Sequence, residues 1–248
     1  MAQDDPKTLV STQWLKNNLK YPDLRVLDAS WHLPNEDRNA FAEFETGHIP
    51  GARFFDIDDI SDHRSSLPHM VPPVEKFLSR VRALGVGDGH QIVVYDYKGL
   101  FSAARVWWLF RLMGHDSIAV LDGGLPKWIA DGNPLDTGAP IIRDRHMTVQ
   151  PRPHMVRDVT QVAHAAKLRD HEIIDARAAA RFRGDAPEPR PGLRAGHIPG
   201  SKNLPFTQVL NRDHTMKTTA ELSEEFRKAG VDLSKPAMTT CGSGVTAA

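Results

Sequence analysis

One cysteine in 248 residues leaves no partner for an internal disulfide. Cys241 is therefore either a buried filler or a reactive thiol, and the chain reads as a protein of a reducing compartment, the cytoplasm. Charge of one sign is also lacking. The 31 basic and 31 acidic side chains cancel, which argues against nucleic acid or a membrane surface as partner and leaves any small anionic substrate to a local cluster. No long hydrophobic run is present: the most apolar stretch, Val106-Trp107-Trp108-Leu109-Phe110, is bounded by Arg105 and Arg111 and is far too short to span a bilayer. The opening Met1-Ala2-Gln3-Asp4-Asp5-Pro6 has neither the basic region nor the apolar core of an export signal. No His/Cys/Asp spacing suits a metal, and no cofactor is expected. Gly85-Val86-Gly87-Asp88-Gly89 has the glycines of a dinucleotide loop but precedes a strand instead of following one, so it reads as a turn.

What is present is a repeat. Gly47-His48-Ile49-Pro50-Gly51-Ala52 recurs as Gly196-His197-Ile198-Pro199-Gly200-Ser201, 149 residues on. Upstream of each copy, an apolar run ends in Asp-Ala: Leu24 to Asp28-Ala29, and Glu172 to Asp175-Ala176. Each predicts a strand entering a loop. Downstream, Val74 to Leu84 with Gly85, and Ala220 to Ala229 with Gly230, predict helices stopped by glycine. The runs Gln91 to Tyr95 and Pro236 to Thr240 then predict two buried strands, followed by Asp96 and Cys241, 145 residues apart.

Strands alternating with helices in both halves predict an α/β protein of two similar domains, each a mainly parallel sheet flanked by helices. The expected division is 1–138, a linker 139–153 rich in Pro, Arg and His, and 154–248. After Asp96 the first half continues with a helix (Ser102 to Met113), a strand (Ser117 to Leu121), Asp122-Gly123-Gly124 and a helix bearing Trp128. Nothing corresponds after Cys241, so the second domain is expected to be incomplete at its C-terminal side. His48 and His197 recur even in the half without a cysteine, which assigns them a shared fold role such as a loop hydrogen bond. Trp107, Trp108 and Trp128 read as core.

The loop Cys241-Gly242-Ser243-Gly244-Val245-Thr246 places a cysteine after a strand, with two glycines in alternate positions where a helix should start. Glycines let successive N–H groups turn inward into an anion cradle, and the helix start adds positive potential. A thiol at that rim is favoured as thiolate, so Cys241 reads as a nucleophile. This loop resembles that of the 3-mercaptopyruvate sulfurtransferases of the tandem-rhodanese superfamily. The paired Gly-His-Ile-Pro-Gly segments, Asp122-Gly123-Gly124 with Trp128, and Arg181-Phe182-Arg183-Gly184 through Glu188-Pro189-Arg190 extend the resemblance over nearly the whole chain.

The resemblance implies that only the second domain carries the nucleophile, in keeping with Asp96 at the equivalent position, since a carboxylate cannot accept sulfane sulfur. It implies Arg181 and Arg190 as substrate-binding residues, with Gly242, Gly244, Val245 and Thr246 lining the cradle. It also implies Ser243, His69 and Asp58 as the group that protonates the departing enolate; Asp56, Asp59, Asp62 and His63 are local rivals. Acceptors would be a small thiol, cyanide or reduced thioredoxin. Thiosulfate-using relatives tend to carry basic residues directly after the cysteine, so the neutral Gly242 and Ser243 favour mercaptopyruvate over thiosulfate. Two other readings have different signatures. A cysteine phosphatase on this fold needs a longer loop closed by an arginine, where Ala247 and Ala248 stand. A non-catalytic, truncated binding module would carry a cysteine that never takes up sulfur.

Overall fold

The computed structural model describes residues 4–190 and 192–248; residues 1–3, on which the expectation of no export signal partly rests, lie outside them. Each half of the repeat builds a parallel sheet. In the first half, β1 (Leu9–Val10), β2 (Leu24–Asp28), β3 (Arg53–Phe54), β4 (Gln91–Tyr95) and β5 (Ile118–Leu121) lie in the order β1-β5-β4-β2-β3. In the second half, β6 (Glu172–Asp175), β7 (Lys202–Asn203) and β8 (Ala237–Thr240) lie in the order β7-β6-β8, which repeats β3-β2-β4. Every strand pair is parallel, as crossover helices require.

The first sheet is covered on both faces, and alternate residues of its strands divide between two cores. Leu27, Ile92, Val94, Ile118 and Val120 face α3 (Val74–Ala83) and α4 (Ala103–Leu112), which contribute Phe77, Val81, Val106, Leu109 and Phe110. Val26, Val93, Tyr95, Ala119 and Leu121 face α1 (Thr12–Asn18), α2 (Ala40–Thr46) and α5 (Gly124–Ala130), which contribute Leu15, Phe44, Leu125 and Trp128. The second half holds a small core of Ile174, Leu204 and Val231, flanked by α6 (Val159–Leu168), α7 (Ala179–Arg183) and α8 (Thr219–Lys228). Here the expected buried strand differs from the observed one. Ala237 and Thr239 of β8 are exposed, because β8 pairs with β6 alone, whereas β4 lies between β2 and β5.

The recurring histidines do the same job twice. His48 Nδ1 bonds Phe44 O at 2.8 Å and its ring stacks on Phe44 at 4.0 Å; His197 Nδ1 bonds Phe182 O at 2.8 Å and stacks on Phe182 at 3.8 Å. Each ties the end of a helix to the following turn, the loop role expected of them.

Residues 139–152 contain no helix or strand but are strapped to the first half. Gln150 and Arg152 donate their backbone N–H groups to Met113 O and Leu112 O, Arg152 pairs with Asp116 at 2.6 Å, and Met147 is buried in the first core. The second half then reaches back. Phe206 meets Phe101 at 5.6 Å, Met216 N donates to Asp122 Oδ1 at 2.7 Å, and His214 packs on Gly99. These contacts bring the loop after β4 and the loop after β8 to one cleft.

Candidate active site

Asp96 and Cys241 follow structurally equivalent strands, and their surroundings explain each other. Asp96 is 1% exposed; its Oδ1 accepts from Lys98 N at 2.8 Å, and its Oδ2 from Phe101 N at 2.8 Å and from Ser102 N and Ala103 N at 2.9 Å. The turn into α4 is therefore an anion cradle filled by its own carboxylate. At the other strand end the same cradle holds sulfur. Gly244 N donates to Cys241 Sγ at 3.2 Å. Burial pushes the thiol up, but the Thr246 hydroxyl and the N–H groups of Ser243, Thr246 and Gly244 outweigh it and hold Cys241 below the usual thiol range. Val245 is 2% exposed and sits in the first half's core, so the sulfur loop is anchored across the cleft.

Two arginines lie over the glycines of this loop. A Cβ at position 242 would stand 2.9 Å from Arg181 Nη2, and one at 244 would stand 3.1 Å from Arg105 Nη1. The glycines thus admit guanidinium groups as well as shaping the backbone. Arg181 is held by Glu188, whose side chain is 4% exposed: Arg181 Nη2 donates to Oε2 at 2.5 Å, while Arg177 Nη1 donates to Oε1 at 2.7 Å. Burial pushes the Glu188 carboxyl up, and the Arg181 and Arg177 bonds overcome it to leave the group below its ordinary value. Arg181 Nη1 carries no bond among the described residues.

The first half supplies the opposite wall. His69 Nε2 bonds Asp58 Oδ1 at 2.9 Å, Trp31 Nε1 donates to Asp58 Oδ2 at 3.0 Å, and the Trp31 and His69 rings meet edge to face at 4.9 Å. The His69 bond, opposed by burial and helped by Trp31 and the nearby Arg190, holds Asp58 below the usual carboxylate range. With Nε2 on the carboxylate, the buried Nδ1 of His69 has no partner among the described residues. The structure therefore forms the Asp58–His69 link and brings Arg190 near it, while no bond between His69 and Ser243 is formed among the described residues. Of the local rivals, Asp59 pairs with Arg80, Asp62 with Arg64, and the His63 ring bonds Asp58 O.

Three site residues escaped the sequence reading: Trp31, Glu188 and Arg105. Arg105 is the least expected. It occupies a core position of α4, in line with Ser102, Leu109 and Leu112, and is 6% exposed. Trp107 and Trp108, read as core, are instead half-buried, with Arg111 over the first ring at 4.9 Å and Arg105 over the second at 4.7 Å. Inside, Arg105 Nη1 donates to Gly244 O at 3.2 Å and Nη2 to His69 O at 2.5 Å. His69 has φ 56°, a left-handed backbone for a non-glycine residue, and that bond helps secure it.

A duplicated parallel α/β fold with one thiol seated in a backbone N–H cradle defines an enzyme with a cysteine nucleophile. Residues 11–131 and 159–248 each match the rhodanese-like domain. Thiosulfate/3-mercaptopyruvate sulfurtransferase 1 of Arabidopsis thaliana is 45% identical over 96% of this chain and 69% of its own length. The 3-mercaptopyruvate sulfurtransferase of Mus musculus is 44% identical over 97% of this chain and 83% of its own. The crystal structure of SseA from Escherichia coli, a 3-mercaptopyruvate sulfotransferase, superposes with a TM-score of 0.89 at 42% identity, covering 96% of this chain and 90% of that one. The chain belongs to the rhodanese-like family, and it is a sulfurtransferase.

The contact over position 242 makes a direct prediction. Gly242 lies outside the left-handed region, so Gly242→Ala tests the contact and not backbone strain. Displacing Arg181 is expected to raise KM for a carboxylate donor about tenfold, with little change in the rate of Cys241 alkylation. Steady-state kinetics with an alkylation control check this; an unchanged KM rules it out.

Proposed function

We propose that the protein takes sulfur from 3-mercaptopyruvate onto Cys241, releases pyruvate, and passes the sulfur to a small thiol, cyanide or reduced thioredoxin. The observation that carries this reading is the pairing of a stabilised thiolate with Arg181 on a glycine loop that bears no positive side chain of its own. Arg181 and Arg190 would hold the donor's carboxylate and keto oxygen, a geometry suited to guanidinium forks. The Cys241 thiolate attacks the donor sulfur, forming the S–S bond as the C–S bond breaks. The bonding pair of that C–S bond passes to carbon as an enolate, and protonation of this carbon gives pyruvate. Asp58, His69 and Ser243 are proposed as the proton source, with His69 held by Asp58 and closing onto Ser243 when the donor binds. Cradle N–H groups stabilise the resulting persulfide, and attack on its outer sulfur by the acceptor regenerates the thiolate.

The division proposed is a domain 1–138 without the nucleophile, which lends Asp58 and His69 to the site, a connecting strap 139–153 and a domain 154–248 that carries Cys241; a cytoplasmic site is proposed on the single, reactive cysteine. Intact-protein mass spectrometry tests the function. Cys241 is expected to gain one sulfur atom on mixing with 3-mercaptopyruvate and to lose it to a thiol, with kcat/KM at least about tenfold above that for thiosulfate. Faster loading from thiosulfate would reverse the donor assignment, and no loading from either would overturn the reading.

A further inference from the structure

We infer that Arg105, from the domain without a nucleophile, is a positioning residue that clamps the sulfur loop and the His69 loop into one site. The guanidinium reaches both backbones at once: Gly244 O, three residues past the nucleophile, and His69 O, in the loop between β3 and α3 that carries the Asp58–His69 pair. Gly244 is also the residue whose N–H donates to Cys241 Sγ, so it is held on both sides, through the Ser243–Gly244 peptide by the sulfur and through the Gly244–Val245 peptide by Arg105. Turning the Gly244–Val245 peptide away from Arg105 would change the backbone torsions at Gly244 that aim the preceding N–H at the sulfur.

Three further observations support the role. First, an arginine costs much to bury, and α4 spends a core position on it where Leu109 and Leu112 show that an aliphatic side chain fits the same face. Second, its guanidinium lies over the Trp108 ring, which fixes the fork in place. Third, Gly244, whose left-handed φ of 71° already favours glycine, also leaves room for the guanidinium, since a Cβ there would stand 3.1 Å from Nη1. The charge persists as well. Burial lowers Arg105 to about 10 while Cys241 raises it, so it remains a cation at neutral pH beside the Cys241 sulfur. Among the described residues, Arg105 from α4 and Arg181 from α7 are set against the sulfur loop, with His69 bonded to Asp58 and Arg190 near enough to lower the Asp58 carboxyl. The first domain is thus a working half of the site, supplying one of two guanidinium groups that bracket the loop.

This inference rests on the sulfurtransferase reading for its purpose, but its test does not need the donor. Iodoacetamide alkylation of Cys241 across pH reports the thiolate directly. In Arg105→Met the thiol midpoint is expected to rise by about one pH unit, with alkylation at neutral pH slowed about tenfold. Single-turnover persulfide formation is expected to fall further, by about 30-fold, since loop geometry is lost along with charge. Arg105→Lys restores the charge without the fork, so the alkylation midpoint should return while persulfide formation stays about tenfold slow. A folded Arg105→Met protein with a wild-type alkylation profile overturns the inference, even if its thermal stability is lower. Should Arg105→Met fail to fold, Arg105→Lys decides: slow persulfide formation supports the clamp, and a wild-type rate overturns it. If the wild-type protein forms no persulfide with 3-mercaptopyruvate, the proposed donor fails while the alkylation comparison still judges Arg105.

Discussion

Cys241→Ser is expected to lower sulfur transfer by on the order of 10⁴-fold or more, to background, with the fold intact. The two side chains are nearly isosteric, and the hydroxyl accepts the Gly244 N–H that the sulfur accepts at 3.2 Å. What is lost is chemistry: a serine hydroxyl remains protonated in this cradle and cannot carry sulfane sulfur. The wild-type thiol, held below its ordinary range by the Thr246 hydroxyl and three backbone donors against the opposing effect of burial, is the reactive species. Since the deprotonated form attacks, the rate of persulfide formation should climb with pH on an acid limb lying below that of an ordinary thiol and then level off. Mass spectrometry of the Cys241→Ser protein after exposure to donor should show no added sulfur. Retained sulfur uptake in that variant would remove Cys241 from the mechanism, and an acid limb at or above the usual thiol range would remove the cradle's electrostatic role.

The parts of the molecule visible in its sequence are those written locally. The strands at Leu24–Asp28 and Glu172–Asp175, the glycine-stopped helices before β4 and β8, and the paired roles of His48 and His197 all depend on residues a few positions apart. Repetition doubled each signal. Arg105 had no such signal, because its bonds to His69 and Gly244 span 36 and 139 residues. In a run as apolar as that around Trp107, a charge reads as the edge of the buried stretch and the tryptophans as its centre, yet the packing of α4 inverts that order. Glu188 was hidden for a related reason: in an Arg/Pro-rich loop a carboxylate looks solvated, and only the meeting of Arg177 and Arg181 over it shows a buried hub. The glycines of the sulfur loop were legible as backbone hinges, while their second use, admitting an arginine from each domain, requires knowing what lies above them.

Asp96→Ala should be the most damaging substitution to stability among those considered, although Asp96 lies in the domain without a nucleophile. Its carboxylate accepts four backbone N–H groups at 2.8 to 2.9 Å from the turn Lys98 to Ala103. Alanine removes every acceptor and leaves those donors in a pocket where the side chain was 1% exposed. Unsatisfied buried donors cost about 1–3 kcal/mol each, and partial relaxation or water entry recovers some of this, giving an expected loss of about 3–5 kcal/mol in urea unfolding. Asp96→Asn should cost less, since one carbonyl oxygen remains to accept. The damage should also reach the active site. The freed turn is the start of α4, one helical turn before Arg105, and it carries Phe101 and Gly99 against Phe206 and His214 of the other half. In whatever fraction stays folded, persulfide formation at Cys241 should therefore slow more than tenfold, through a loop that never contacts the sulfur. A loss of less than about 1 kcal/mol with normal activity would show that the carboxylate merely occupies the cradle, and that backbone geometry alone keeps α4 and its arginine in place.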